Sequence, residues 1–142
     1  MSRAAVDLVR GVWAAFQRHD WAAARAAMAD DLVSTWWTSG ERFDGAEAFV
    51  AVQADYPAGW TLHVLEVQAL ADGRVLSLVR VDHPPHGVFF CTSIARVDHG
   101  RLAQVEEYWA TAQPPEAWRL GRPGHRRFEP TDDPRTAGAP SP

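Results

Sequence analysis

Lysine is absent: all 14 basic residues of the 142-residue chain are arginine. That removes Schiff-base catalysis and any phosphate loop of the Walker type, both of which need a lysine amine. Cysteine occurs once, as Cys91, so no disulfide can form within the chain, and a single thiol suits a reducing compartment such as the cytoplasm. No apolar run of membrane-spanning length is present, and the residues after Met1 lack the charged start and apolar stretch of a signal peptide, so neither secretion nor membrane insertion is expected. Positive charge is not in excess either. With 18 acidic side chains the net charge is −4 and the pI about 5.8, which argues against a nucleic-acid partner, whose affinity rests on neutralised phosphates.

What the chain does have is 46% hydrophobic residues, enough for one domain with its own core. Val6, Val9, Val12, Trp13 and Phe16 recur at steps of three and four between Arg3 and Arg18, the stripe of an amphipathic helix. Asp20 offers an N-cap to a second, alanine-rich helix over Trp21 to Met28, ending at Asp30-Asp31. Leu32 to Trp37 has strand character, Gly40 turns the chain, and Asp44-Gly45-Ala46-Glu47 reads as a capping-box-like start to a third helix that Pro57 and Gly59 end. Strands are then expected over Thr61 to Leu70, Arg74 to His83, Val88 to Val97 and Leu102 to Trp109, with Asp72-Gly73 and His99-Gly100 as tight turns. Beyond Trp118 the chain loses its hydrophobic period and becomes rich in Pro, Gly and Arg. Residues 1–118 therefore read as the domain and 119–142 as a disordered tail.

Helices followed by a strand meander make an α+β fold, with helices covering one face of a curved antiparallel sheet of about six strands. Counting back from the Asp72-Gly73 turn sets Val64 opposite Val81, Leu65 opposite Arg80 and His63 opposite Asp82. Both faces of that hairpin are apolar, one through Leu62, Val64, Val79 and Val81 and the other through Leu65, Val67, Leu76 and Leu78. One face suits the helices and the other a second subunit, so a homodimer is expected.

Three segments in this order resemble the nuclear transport factor 2-like superfamily, which includes the steroid isomerases and the SnoaL-like polyketide cyclases. They are Ala29-Asp30-Asp31 after the helical hairpin, Phe43 to Phe49 entering the third helix, and Asp98 to Leu102 leading to Glu107-Tyr108-Trp109. The resemblance spans Val6 to about Trp118 and implies a cone-shaped α+β barrel, commonly dimeric, around one apolar cavity. It does not carry the isomerase machinery. The isomerases' general-base aspartate falls at Trp36, their oxyanion tyrosine at Val12, and their protonated aspartate at Thr92 or Ser93.

The same resemblance points Leu76, Leu78, Arg80 and Asp82 of one strand, and Val105, Glu107 and Trp109 of the last, into the cone. Hairpin counting adds His63 opposite Asp82, and Thr92 and Phe90 opposite Glu107 and Trp109. The expected ligand-binding wall is Trp13, Trp36, Leu78, Phe90, Thr92, Val105 and Trp109, and the expected catalytic groups are Glu107, His63, Asp82 and Arg80. A carboxylate in an apolar pocket becomes a usable acid near neutral pH, and a histidine oriented by an aspartate can move a proton. Each has a plain structural alternative: a rim ion pair for His63 and Asp82, and a buried salt bridge between Arg80 and Glu107. Trp36 and Trp109 facing each other would clamp a flat ring, and Cys91 reads as an inert core residue. Two histidines in His83-Pro84-Pro85-His86 are too few for a metal site.

The leading expectation is a cytoplasmic SnoaL-like protein that binds an apolar, cyclic, oxygenated molecule. It would catalyse isomerisation, cyclisation, dehydration or hydration without cofactor or metal. The alternative is a non-catalytic dimeric module of the same fold that binds a ligand or, through its basic tail, another protein.

Overall fold

Helix α1, Ser2–Arg18, buries Val9, Val12, Trp13 and Phe16, the stripe its spacing requires. It ends in a Schellman turn: Asp20 N donates to Ala15 O (2.8 Å) and His19 N to Phe16 O (3.0 Å), with His19 at φ 58°. Asp20 then caps α2, Trp21–Ala26, its carboxylate accepting from Ala23 N at 3.0 Å. The computed structural model describes residues 2–132.

The second helix is shorter than expected. Met28 already belongs to β1, Met28–Trp36, where it pairs with Leu102, so Asp30 and Asp31 lie in a strand and do not end a helix. After the turn at Gly40 comes β2, Glu41–Asp44, a strand the hydrophobic pattern did not predict. The capping box at Asp44 does not form, because Asp44 pairs with Val33 as the last residue of β2. Gly45 caps α3, Ala46–Asp55, at φ 96°, a conformation that side chains resist, and Glu47 instead accepts from Arg25 Nε at 2.8 Å.

Strands β3 (Thr61–Ala69), β4 (Val75–His83), β5 (Gly87–Asp98) and β6 (Arg101–Thr111) follow within a residue or two of expectation. The six strands form one sheet in the order β2-β1-β6-β5-β4-β3. It is mixed, since β1 runs parallel to β6 and every other pair is antiparallel. The helices cover one face, and Trp13 Nε1 fastens α1 to it through a 3.0 Å hydrogen bond to Ser77 Oγ on β4.

Register decides which side chains meet the helices, and here both hairpins depart from a simple count. The first turn holds three residues, with Leu70 N donating to Arg74 O, and a bulge at Leu65 shifts the pairing again. The two shifts restore the facing of His63 but set it opposite Arg80 instead of Asp82. In the second hairpin, His99 (φ 52°) and Gly100 (φ 73°) make the expected two-residue turn. A single bulge beside Ala103 then moves the pairing by one, so Ser93 and Cys91, not Thr92 and Phe90, oppose Glu107 and Trp109.

One uncorrected step turns every side chain to the other face. The helix-side face therefore carries Val79, Val81, Cys91, Ser93, Val105 and Glu107, most of them deeply buried. Leu78, Arg80, Asp82, Phe90 and Thr92 lie on the outer face together with His63. Trp118 is exposed, with the Arg119 and Arg122 guanidiniums 5.6 and 5.7 Å from its ring. Residues 133–142 of the expected tail lie outside the described residues.

Candidate functional site

Between the helices and the sheet opens an apolar pocket of about 410 Å³, a size that suits a small cyclic molecule. Its base is aromatic, formed by Trp13 and Phe16 of α1, Trp36 of β1, Trp60 before β3, Phe89 of β5 and Trp109 of β6. Polar groups gather at the mouth: Thr38 and Ser39 from the β1–β2 turn, Glu41, Gln53, Tyr56 and Thr111. Of the expected ligand wall, Trp13, Trp36 and Trp109 stand here. Val105 lines a second, much smaller cavity below. Leu78, Phe90 and Thr92 do not face the pocket: the bulge beside Ala103 places Phe90 and Thr92 on the outer side of the sheet, and Leu78, which the resemblance turned inward, pairs with Thr92 and lies there too.

Glu107 lies beneath this floor. Alternation along β6 turns it inward between Val105 and Trp109, and it is 1% exposed. It borders the small cavity, whose lining shares Trp13 and Phe16 with the large pocket. Trp36 Nε1 donates to Glu107 Oε1 at 2.8 Å. Loss of water around the carboxyl raises its pKa from 4.5 to about 7, against the opposing pull of the Trp36, Trp109 and Cys91 donors. The Trp109 indole acts on the carboxylate from outside good bonding geometry, so its Nε1 is a buried donor with no formed hydrogen bond. No basic side chain within reach is among the groups acting on Glu107. The Cys91 thiol shares this surrounding, and burial, followed by the Glu107 charge, pushes it well above its ordinary value.

The salt bridge between Glu107 and Arg80 that stood as the structural alternative to catalysis is not made, since the two project from opposite faces. Arg80 instead donates from Nε and Nη2 to both Asp82 oxygens, at 2.9 and 3.0 Å. His63 Nε2 lies 3.3 Å from Asp82 Oδ2. His63, Asp82 and Arg80 are thus brought together, as a cluster of their own on the far side of the sheet from Glu107. Trp36 and Trp109 meet edge to face with centroids 6.2 Å apart, so a flat ring would rest against them and not between them.

Sequence counting missed the mouth. Simple register counting turns Phe90 inward in place of its neighbour Phe89, and Tyr56, the C-terminal cap of α3, belongs in the sequence only to the run of the third helix. The break in alternation between Leu102 and Val105, both buried and three residues apart, is the signal that would have corrected the first.

No protein-family model matches the sequence, and no curated protein matches it. Solved structures do. A candidate ketosteroid isomerase from Kribbella flavida DSM 17836 gives a TM-score of 0.78 at 20% identity, over 89% of this chain and 91% of that one. A nuclear transport factor 2-like protein of unknown function from Burkholderia xenovorans LB400 gives 0.72 at 18% identity, over 89% and 97%. An LEH-like epoxide hydrolase of M. tuberculosis gives 0.64 at 23% identity, over 76% and 84%. At these identities the likeness is one of fold: three helices against a six-stranded sheet, with an apolar pocket between them, make the α+β cone of the nuclear transport factor 2-like proteins.

Proposed function

We propose that the protein is a cofactor-independent enzyme that binds an apolar, cyclic, oxygen-bearing molecule in its cone and moves a proton on it. The reaction would be an isomerisation, cyclisation, dehydration or hydration. One observation carries this reading: a carboxyl that is fully buried and has no cationic partner among the described residues stands directly behind the aromatic floor of the pocket, where loss of water pushes its pKa up to about 7. A carboxyl of that kind is present in both protonation states at neutral pH, which is what a general acid or base requires. Trp36, which closes the pocket over Glu107, would turn aside as a ligand seats; a ligand hydroxyl would then donate to Glu107 in place of the indole, or the protonated carboxyl would donate to a carbonyl or epoxide oxygen.

The cluster of His63, Arg80 and Asp82 has no part in this proposal. It lies on the other face of the sheet from the pocket and holds the Asp82 carboxylate between Arg80 and His63, the structural alternative to a proton-transfer role.

The test is a panel of cyclic hydroxy ketones, enones and epoxides incubated without added cofactor, with products followed by chromatography. Turnover of one class by the parent protein and at least a tenfold loss in Glu107→Gln is expected. Unchanged turnover in that variant would remove Glu107 from the mechanism.

The second reading, a non-catalytic ligand-binding module, is favoured by the 2.8 Å bond from Trp36, which seals Glu107 from the larger pocket as a buried acceptor would. In that case the panel yields ligands without products. Either protein would be a cytoplasmic homodimer, with the domain ending near residue 118. The outer sheet face supports the dimer, since Leu76, Leu78, Phe90 and Ile94 are half-buried there and Tyr108 is exposed. Phe90→Asp should convert a dimer to a monomer in sedimentation velocity, and a parent that sediments as a monomer would overturn the dimer.

A further inference from the structure

Tyr56 and His83 form a pair at the pocket mouth that the reading above does not use. Tyr56 caps α3 and lines the pocket. Its hydroxyl lies 2.8 Å from His83 Nδ1, and His83 Nε2 lies 3.0 Å from the backbone oxygen of Ala58. A carbonyl only accepts, so Nε2 carries the proton of the neutral ring, Nδ1 is left as the acceptor, and the phenol must donate to it. The direction of both hydrogen bonds is thereby fixed, from tyrosine to imidazole and from imidazole to backbone.

The surroundings hold this arrangement in place. His83 is 1% exposed and sits at the end of β4 on the helix-side face. The Tyr56 ring meets it edge-on at 5.1 Å and the His86 ring lies 4.6 Å away on centroids. Gly59, at φ 106°, passes so close that a Cβ there would touch the imidazole at 3.8 Å. Tyr56, by contrast, is 42% exposed. A buried base therefore accepts the hydrogen bond of a phenol that belongs to the pocket lining, and the phenol oxygen has lone pairs left for a group entering from the pocket.

We propose that Tyr56 and His83 are a proton relay that receives a hydroxyl group of the ligand, which makes the ligand class an apolar ring system hydroxylated at the end nearest the pocket mouth. The ligand hydroxyl donates to Tyr56 Oη. As it ionises, its proton passes to Oη while the phenol's own proton passes to His83 Nδ1. The products are a ligand oxyanion and an imidazolium, with both ring N–H groups already bonded, to Tyr56 and to Ala58. The reverse transfer restores the starting state, and no oxidant or further reactant takes part. Tyr56 is the residue that touches the ligand and His83 acts through it. The proposal rests on the pocket being a ligand site and is independent of Glu107.

Indane and 5-indanol, which differ only by the hydroxyl, separate these claims by calorimetric titration of the parent and Tyr56→Phe. The parent is expected to bind both, with 5-indanol favoured about tenfold, the worth of one well-made hydrogen bond. Tyr56→Phe should keep the affinity for indane and lose the preference. A variant that retains the preference, or weakens both probes equally, overturns the relay while leaving the pocket intact. A parent that binds neither probe overturns the pocket reading, and the relay with it. Imidazole ¹⁵N spectra give the second readout: His83 should be protonated at Nε2 only, with its Nδ1 signal moved by 5-indanol and not by indane. A proton found on Nδ1 in the free protein also overturns the proposal.

Discussion

Between pH 4 and pH 8 the protein should lose about 3 kcal/mol of folding stability through Glu107 alone, and Glu107→Gln should abolish that loss. The carboxyl titrates at about 7 in the folded chain against 4.5 when exposed. Between those values the folded state keeps a proton that the unfolded chain has released. Unfolding therefore releases a proton, and stability falls as pH rises through the window. Below the lower value both states are protonated and Glu107 is neutral to stability. Above the upper value both are ionised, and the folded protein bears the full cost of a buried charge.

Glutamine keeps the shape and the acceptor for Trp36 but cannot ionise. At pH 8 the variant should melt roughly 10 °C above the parent, and the difference should vanish near pH 4. The amide adds one cost. Its NH₂ turns toward Trp109 and Cys91, and an indole N–H cannot accept it, so the gain at high pH falls somewhat short of the full penalty. Thermal melts of the two proteins across this range are the measurement. Equal melting points at pH 8 would mean that the carboxylate is compensated and is not a strained acid. A variant that is more stable and less active is the signature of a group held for chemistry, because function is what retains an unfavourable residue.

The positions of these groups illustrate what a sequence pattern conveys. Helix α1 was legible because Val9, Val12, Trp13 and Phe16 leave one face no alternative to burial, and the His99-Gly100 turn because both residues must take positive φ. Glu107 and Trp109 were legible as residues of one face because β6 alternates cleanly beyond Val105, and the resemblance turned that face inward. Phe90 and Thr92, turned inward by hairpin counting, and Leu78, Arg80 and Asp82, turned inward by the resemblance, all lie on the other side, since alternation within a strand fixes which residues share a face but not which face is inward. That depends on the partner strand, and one extra residue beside Ala103 reverses it. Ala103 is small and only partly buried, so nothing in its chemistry announces a bulge; the three-residue step from Leu102 to Val105 does. The pocket mouth was illegible for another reason: Tyr56, Ala58 and His83 meet through the end of a helix, a loop and the end of a strand, where no periodicity applies.

On the outer face the expectation has the opposite sign. Asp82→Asn should destabilise the protein by about 3 kcal/mol at neutral pH, because it removes the charge from beside a buried cation. Arg80 is 4% exposed, and two of its nitrogens are satisfied by Asp82 alone; its Nη1 already has no hydrogen-bond partner. Asparagine can accept one of the two bonds but presents an N–H where the other acceptor stood, leaving a guanidinium charge without a counter-ion under the sheet surface. Removing the cation as well, in Arg80→Met with Asp82→Asn, should recover most of the loss, since a hydrophobic side chain of similar length suits the site better than an unpaired charge. Glu107 and Asp82 stand two strands apart on opposite faces, so their effects should add: Glu107→Gln with Asp82→Asn lies near the parent at pH 8, and its advantage over Asp82→Asn alone vanishes at pH 4, where Glu107 is protonated in either state. Urea unfolding of the four variants at both pH values checks the sum, and an Asp82→Asn protein as stable as the parent would show that Arg80 reaches water or another acceptor in solution.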